Sequence, residues 1–151
     1  MPIERVVQQA TPLDAGLMAA IHASCFPRPW DEGAMAQFIC GPDRLCLIAS
    51  ALDDQGAVAA GLLIARKAAD EAEILTFGVA PSCRRMGLGR ALLRRAIAVL
   101  AASGAKRLYL EVEDGNEAAL TLYRALGAVP VGRRSGYYEH GADASIFSLA
   151  L

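Results

Sequence analysis

The sequence has no apolar stretch of membrane length: its longest uncharged apolar run, Ala57 to Ala65, is far short of the roughly 20 residues a spanning helix needs. It has no excess of either charge. Fifteen basic residues stand against sixteen acidic ones, a net of −1, so nothing global points to nucleic acid. Cys25, Cys40, Cys46 and Cys83 form no C-x-x-C pair, and neither His22 nor His140 completes a zinc spacing, so no metal is expected. His22 and Cys25 sit one turn apart on an expected helix, where packing without a ligand role is the reading taken. In a reducing compartment the cysteines are free thiols acting as small apolar residues. The start, Met1-Pro2-Ile3-Glu4-Arg5, carries an acid and no apolar core. No signal peptide is therefore expected, and the expected location is cytoplasmic with no membrane partner.

What is present is a foldable chain of 151 residues, 54% hydrophobic and 21% charged, read as one domain over 1–151. Such a length buries roughly 68–70% of its unfolded surface and needs no metal or disulfide to fold. Ile3 to Val7 reads as a strand. Thr11-Pro12 caps a helix that runs to about Cys25, with Leu17, Ala20 and Ile21 as its apolar side. Pro27 and Pro29 break it, and a second helix spans about Asp31 to Ile39. Leu45–Ala51 and Ala57–Arg66 form a hairpin across Asp53-Asp54-Gln55-Gly56, followed by a strand at Glu73–Val79. A long amphipathic helix over Gly87–Ala102 ends at Gly104. A strand at Lys106–Glu113, a helix at Asn116–Leu126, and strands at Ala128–Arg134 and Ala144–Leu149 complete a mixed α/β sheet with helices on its faces.

Between Glu73 and Glu111 there is no acidic residue, while Arg84, Arg85, Arg90, Arg94, Arg95, Lys106 and Arg107 give the interval a charge of +7. At its centre Arg84-Arg85-Met86-Gly87-Leu88-Gly89-Arg90 joins a strand to a helix. The two glycines admit a ligand close to the backbone, and the helix start offers unpaired N–H groups and the positive end of its dipole. With the arginines, this is an anion site suited to a pyrophosphate. A P-loop would need Lys-Ser or Lys-Thr after the glycines, and a dinucleotide fingerprint would need a small residue where Leu92 stands. Neither fits; a plain turn with a solvated basic face is the alternative. Cys83 precedes the arginines, which favours a thiolate, but no histidine lies near in sequence and no nucleophile role is assigned.

Val79-Ala80-Pro81 followed by Arg84-x-x-Gly87-x-Gly89 resembles the acyl-CoA signature of the GNAT acetyltransferases. The β-α-α-β-β-β-α-β-α-β-β order over nearly the whole chain is similar to that fold. The resemblance implies a mixed, mostly antiparallel sheet with helices on both faces. It also implies acetyl-CoA as cosubstrate. Phe77, Gly78 and Val79 at the strand end would hold the pantetheine and thioester carbonyl, and Arg84, Arg85, Met86, Gly87, Leu88, Gly89 and Arg90 the pyrophosphate.

In the strand Lys106–Glu113, alternation puts Leu108, Leu110 and Val112 on one face and Arg107, Tyr109, Glu111 and Glu113 on the other. Asn116 opens the next helix, and Tyr123 lies two turns further along nearly the same stripe. The run Leu110-Glu111-Val112 … Asn116-x-x-Ala119-x-x-Leu122-Tyr123 … Leu126-Gly127 resembles the bacterial ribosomal-protein-alanine N-acetyltransferases. So do Phe26-x-x-Pro29-Trp30 and Arg133-Arg134 … Tyr137-Tyr138. That resemblance implies Glu111 as base, Tyr123 as acid and Asn116 as a cofactor contact, with a protein N-terminus, such as that of a small-subunit ribosomal protein, as acceptor. The chain departs from the group at Thr76, Glu113, Gly115 and Ala128, positions that bear on the acceptor more than on acetyl-CoA.

The chemistry is coherent. An α-amine with a pKa of about 7.7–8.0 needs only a modest base to free its lone pair, and a thiolate of about 8.5 accepts a phenol's proton once it is poorly solvated. Glu111 could instead be a structural acid paired with Arg133 or Arg134, and Glu113 or a water could be the base. Acetylation of a small amine (an amino acid, polyamine or aminoglycoside) and a non-enzymatic acyl-CoA-binding module are the alternative functions. For the peptide reading, Glu111, Glu113 and Asp114 would give a negative mouth favouring a basic second or third acceptor residue. Tyr137 and Tyr138 would form an aromatic wall there or fill the sheet edge.

Overall fold

The computed structural model describes residues 3–134 and 143–151; Tyr137, Tyr138 and His140, named above, lie outside the described residues. In chain order the elements are β1 (Glu4–Gln9), α1 (Ala15–Cys25), α2 (Glu32–Cys40), β2 (Arg44–Asp53), β3 (Gly56–Ala68), β4 (Glu71–Val79), α3 (Leu88–Ala102), β5 (Arg107–Glu113), α4 (Glu117–Ala125), β6 (Val129–Arg134) and β7 (Ala144–Ala150). This is the expected order, with boundaries moved by one or two residues except at the start of α1. The strands form one sheet in the order β1-β2-β3-β4-β5-β7-β6. Every neighbouring pair is antiparallel except β4 and β5, which run parallel.

The central strands are covered on both faces, which is why their sequences read as apolar runs rather than alternations. Leu47, Ile48, Ala49, Leu62, Leu63, Ile64 and Ala65 are all fully buried. On one face Leu47, Leu63, Leu108, Leu110 and Phe147 pack under α3 and α4, against Leu92, Leu93, Ala96 and Tyr123. On the other, Ile48, Leu62 and Ile64 pack under α1 and α2, against Met18, Ile21 and Met35. Cutting any of these buried leucines to alanine would cost about 2–5 kcal/mol. In the β2–β3 hairpin, Asp53 Oδ1 accepts the Gln55 N–H at 2.8 Å, and Gly56 takes the positive φ of +116° that the turn requires.

Two local expectations are corrected. Thr11 does not cap α1. It opens a 3-10 turn over Pro12–Asp14, where the Asp14 carboxylate accepts the Thr11 N–H at 2.8 Å, and the α-helix begins at Ala15. The apolar side of α1 is also rotated: Ile21 is buried as expected, but Leu17 is 41% exposed and Ala20 is exposed, and Ala15, Met18 and His22 are buried in their place. The segment is apolar almost all round, so spacing alone does not choose a face. His22 decides it, because both its ring nitrogens find partners inside.

Candidate active site

β4 and β5 pair over three residues only: Glu71 with Arg107, Ala72 with Leu108 and Glu73 with Tyr109. Beyond these the strands separate, and β4 continues to Val79 paired with β3 alone. An irregularity falls there, since Ile64 faces Thr76 while Ala65 faces Ile74, leaving Leu75 as the extra residue. The open edge of β4 therefore carries peptide groups with no strand to meet. The Ala80 N–H donates to Ala60 O at 2.7 Å, toward β3. Alternation then turns the Val79 and Phe77 N–H groups the other way, into the gap. Gly78 points its peptide group toward β3. A Cβ there would lie 3.1 Å from Cys25 Sγ and 3.3 Å from Phe26 Cε2, so this glycine lets α1 approach the strand.

The turn from β4 to α3 holds the glycines. Arg84 Nε donates to Val79 O at 3.0 Å, folding the turn back on the strand. Arg85 and Gly87 have φ of +66° and +81°. Leu88 is buried, so it offers only its backbone outward, whereas Arg84, Arg85 and Arg90 are exposed and Met86 is half-buried. A Cβ on Gly89 would lie 3.3 Å from Phe77 Cζ and 3.7 Å from Leu122 Cδ2, so this position packs the helix against β4 and α4. The turn fits a pyrophosphate: it presents the start of a 15-residue helix, two glycines and three exposed arginines.

Asn116 caps α4, its Oδ1 accepting the Ala119 N–H at 3.2 Å, which leaves the amide Nδ2 as the group able to meet a ligand. Gly115 before it has φ +90°, a conformation that a side chain would strain. The approach to this cap is tied down by a network. Asp114 accepts from Arg133 and, at 2.8 Å, from Ser145 Oγ, and Arg133 also reaches Asp143 at 3.2 Å. The Arg133 hydrogen bond, followed by that of Ser145, holds the Asp114 carboxyl below the usual range. Asp114 is thus committed to this network rather than to the mouth of a cleft.

Glu111 and Tyr123 lie on opposite faces of the sheet. Glu111 is registered with Ile146, and the two line a cavity of about 200 Å³ with Glu73, Ile74, Tyr109 and Arg134. Arg134 Nη2 is 3.3 Å from Glu111 Oε1, so the ion pair named as an alternative is present. Tyr123 is 4% exposed, on the α3–α4 face, with its ring tilted 59° against Phe147 at 6.2 Å between centroids. Phe147 lies opposite Leu110, which fixes the face.

Three participants were not singled out from sequence as parts of the site. Glu73 lines the cavity beside Glu111 and is paired with Arg66. Arg5, from β1, donates from Nε to Met86 O in the glycine turn. His22 is 3% exposed; its Nδ1 accepts the Trp30 N–H at 3.1 Å and its Nε2 meets Thr76 Oγ1 at 3.0 Å. Since Nδ1 accepts, Nε2 carries the proton and donates to Thr76. The ring stacks on Trp30 at 5.0 Å and contacts Phe26 at 4.4 Å, and burial pushes its pKa down. Partners 54 or 81 residues away leave no local trace; only the period of β1, which puts Arg5 on the same side as Val7, hints at one of them.

No helix among the described residues is long and apolar enough to cross a membrane, and no group of three potential metal ligands occurs among them. The sequence profile of the Acetyltransferase (GNAT) family matches residues 17–128. An N-alpha-acetyltransferase, RimI, of Mycobacterium tuberculosis is 35% identical over 89% of this chain and 85% of its own. Among solved structures, the ribosomal-protein-S18-alanine N-acetyltransferase from Escherichia coli superposes with a TM-score of 0.85 at 30% identity, covering 97% of this chain and 94% of that one. Arabidopsis thaliana NAA60 in complex with acetyl-CoA has the same fold, with a TM-score of 0.83 at 20% identity over 98% and 99% of the two chains. The parted strands, the glycine turn and these likenesses agree, and the chain belongs to the GNAT family of acetyltransferases.

Proposed function

We propose that the protein transfers an acetyl group from acetyl-CoA to the N-terminal α-amine of a protein, with an alanine-starting ribosomal protein as the acceptor. The observation that carries this reading is the parting of β4 and β5, which opens the sheet between an anion-binding turn on one face and an acidic cavity on the other. The relatives' names supply the acceptor class: one acts on an N-terminal amine, and another on the alanine of ribosomal protein S18.

Acetyl-CoA supplies a thioester, an electrophilic carbonyl with a thiolate leaving group. The glycine turn, with Arg84, Arg85 and Arg90, binds the diphosphate through N–H groups and charge. The Phe77 and Val79 N–H groups are the donors available to polarise a carbonyl in the gap, and Asn116 adds its amide. Glu111, directly or through a water, takes the proton from the attacking amine. Tyr123, held out of solvent by α4 and Phe147, gives its proton to the departing sulfur. The acceptor's positive charges meet Glu73 and Glu111 in the cavity.

Mass spectrometry of a peptide panel and a small-amine panel, each incubated with the protein and acetyl-CoA, tests this. Acetylation at the first residue of peptides with small N-terminal residues, and little on amino acids or polyamines, is expected. Turnover of small amines with no peptide acetylated would replace this reading with the small-amine one.

A further inference from the structure

Arg5 stands at the edge of the sheet, registered with Ala51 of β2, and its side chain reaches the turn before α3, 81 residues away. Two observations fix how it meets that turn. Its Nε donates to the carbonyl of Met86. Its guanidinium also occupies the place where a side chain on Gly87 would be: a Cβ there would lie 2.6 Å from Nε and 3.1 Å from both Cζ and Nη2. Gly87 has φ +81°, so the backbone would strain a side chain there, and any such side chain would also displace the Arg5 guanidinium from the turn.

The hydrogen bond has a geometric consequence. Across a planar trans peptide the carbonyl and the following N–H point in opposite directions. Holding the Met86 carbonyl toward Arg5 therefore turns the Gly87 N–H away from it, to the opposite side of the turn. Gly87 is also the N-cap of α3, so its N–H joins those of Leu88 and Gly89 at the positive end of the helix dipole. A guanidinium engaged through Nε keeps its terminal N–H groups and its whole charge beside the turn.

Resting on the acetyl-CoA reading above, we propose that Arg5 belongs to the phosphate site. It clamps the Met86–Gly87 peptide so that the turn's N–H groups are set for an anion, and it adds a positive charge from a strand otherwise remote from the cosubstrate. Its contribution is specific to the phosphate-bearing end of the ligand, because in that reading the pantetheine and acetyl portions meet the open edge of β4 and not the turn that Arg5 reaches.

Calorimetric titration of the wild type, Arg5→Gln and Arg5→Lys with acetyl-CoA and with S-acetylpantetheine, which lacks every phosphate, separates the possibilities. Arg5→Gln is expected to weaken acetyl-CoA about tenfold, with a shallower salt dependence, and to leave S-acetylpantetheine unchanged. Arg5→Lys keeps the charge without the Nε–H donor and is expected to fall between the two. Unchanged acetyl-CoA affinity in Arg5→Gln, or an equal loss for both ligands, overturns the assignment of Arg5 while leaving the acetyl-CoA reading intact. A wild type that binds neither ligand overturns that reading, and the role of Arg5 with it. Thermal melts of the variants, expected to match the wild type for an exposed side chain, show that the fold persists.

Discussion

His22 and Thr76 are joined by a 3.0 Å hydrogen bond that ties α1 to the strand bordering the gap, while the other nitrogen of the same ring holds the backbone of Trp30. The Trp30 bond needs the neutral imidazole, because only an unprotonated Nδ1 can accept it, whereas Nε2–H donates to Thr76 in either form. Protonation would place a second N–H against the Trp30 N–H and a charge among Phe26, Trp30 and Met18's layer of the core.

Stability should therefore depend on pH through this residue. Its folded pKa is lowered, so the unfolded state binds more protons below about 6.5, the unperturbed value. The contribution is fully present above that pH and is lost as pH falls toward the folded value. Melting temperatures measured from pH 8 to pH 5 should be flat at first and then decline. The decline between 6.5 and 5 should be shallower in His22→Gln, which cannot titrate; an identical slope would mean that other groups dominate.

Tyr123→Phe keeps the ring that packs on Phe147 and removes only the hydroxyl. The expected result is a loss of about 10²-fold in kcat with acetyl-CoA affinity nearly unchanged. Steady-state kinetics beside a binding titration would show it. A variant as fast as the wild type would assign the leaving-group proton elsewhere.

Glu111→Gln should slow the reaction most at low pH, where the acceptor amine is mainly protonated and needs a base. It also leaves Arg134 without its Glu111 contact, so Arg134→Gln is the control: it perturbs the same pair and keeps the carboxylate. The two pH–rate profiles should differ. A Glu111→Gln profile of unchanged shape would move the base to Glu113 or to a water.

Glu73 lines the cavity beside Glu111, and charge reversal there should retune the acceptor. Glu73→Lys should slow peptides with a basic second or third residue by about tenfold and spare acidic ones, read as kcat/KM across a peptide panel. An equal loss on every peptide would mean a disturbed β4–β5 junction instead of altered selectivity.

Gly89→Val would at first sight block the phosphate site and leave the fold alone. The packing of Gly89 on Phe77, Val79 and Leu122 predicts a different outcome. The variant should lose about 1–3 kcal/mol of stability as the first turn of α3 is pushed off β4. Urea denaturation would measure it.

Periodicity and turn chemistry were enough to order the elements, because β5 alternates cleanly and Gly87, Gly104, Gly115 and Gly127 mark helix ends with positive φ. The glycine turn was legible as an anion site since its features are contiguous. The face of α1 was not, because an almost wholly apolar helix carries no direction of its own. Nor could Glu73, Arg5 or the partnership of His22 with Thr76 be read, since each depends on which strands become neighbours. The commitment of Asp114 to Arg133 and Ser145 is of the same kind: the chain shows an acid beside Glu113, and only β7 shows where it is spent.

The three-residue seam between β4 and β5 also divides the molecule's inheritance. Everything assigned to the cosubstrate's phosphates hangs on β1, β4 and α3, while Glu111, Arg134 and Ile146 hang on β5, β6 and β7. Few backbone bonds cross between these halves, so a change of side chain beyond the seam alters the cavity without pulling on the glycine turn. A lineage can in this way exchange one acceptor for another by drift on the far strands, holding its acetyl donor constant. Of the four departures, Glu113, Gly115 and Ala128 fall on that side, and Thr76 falls on β4.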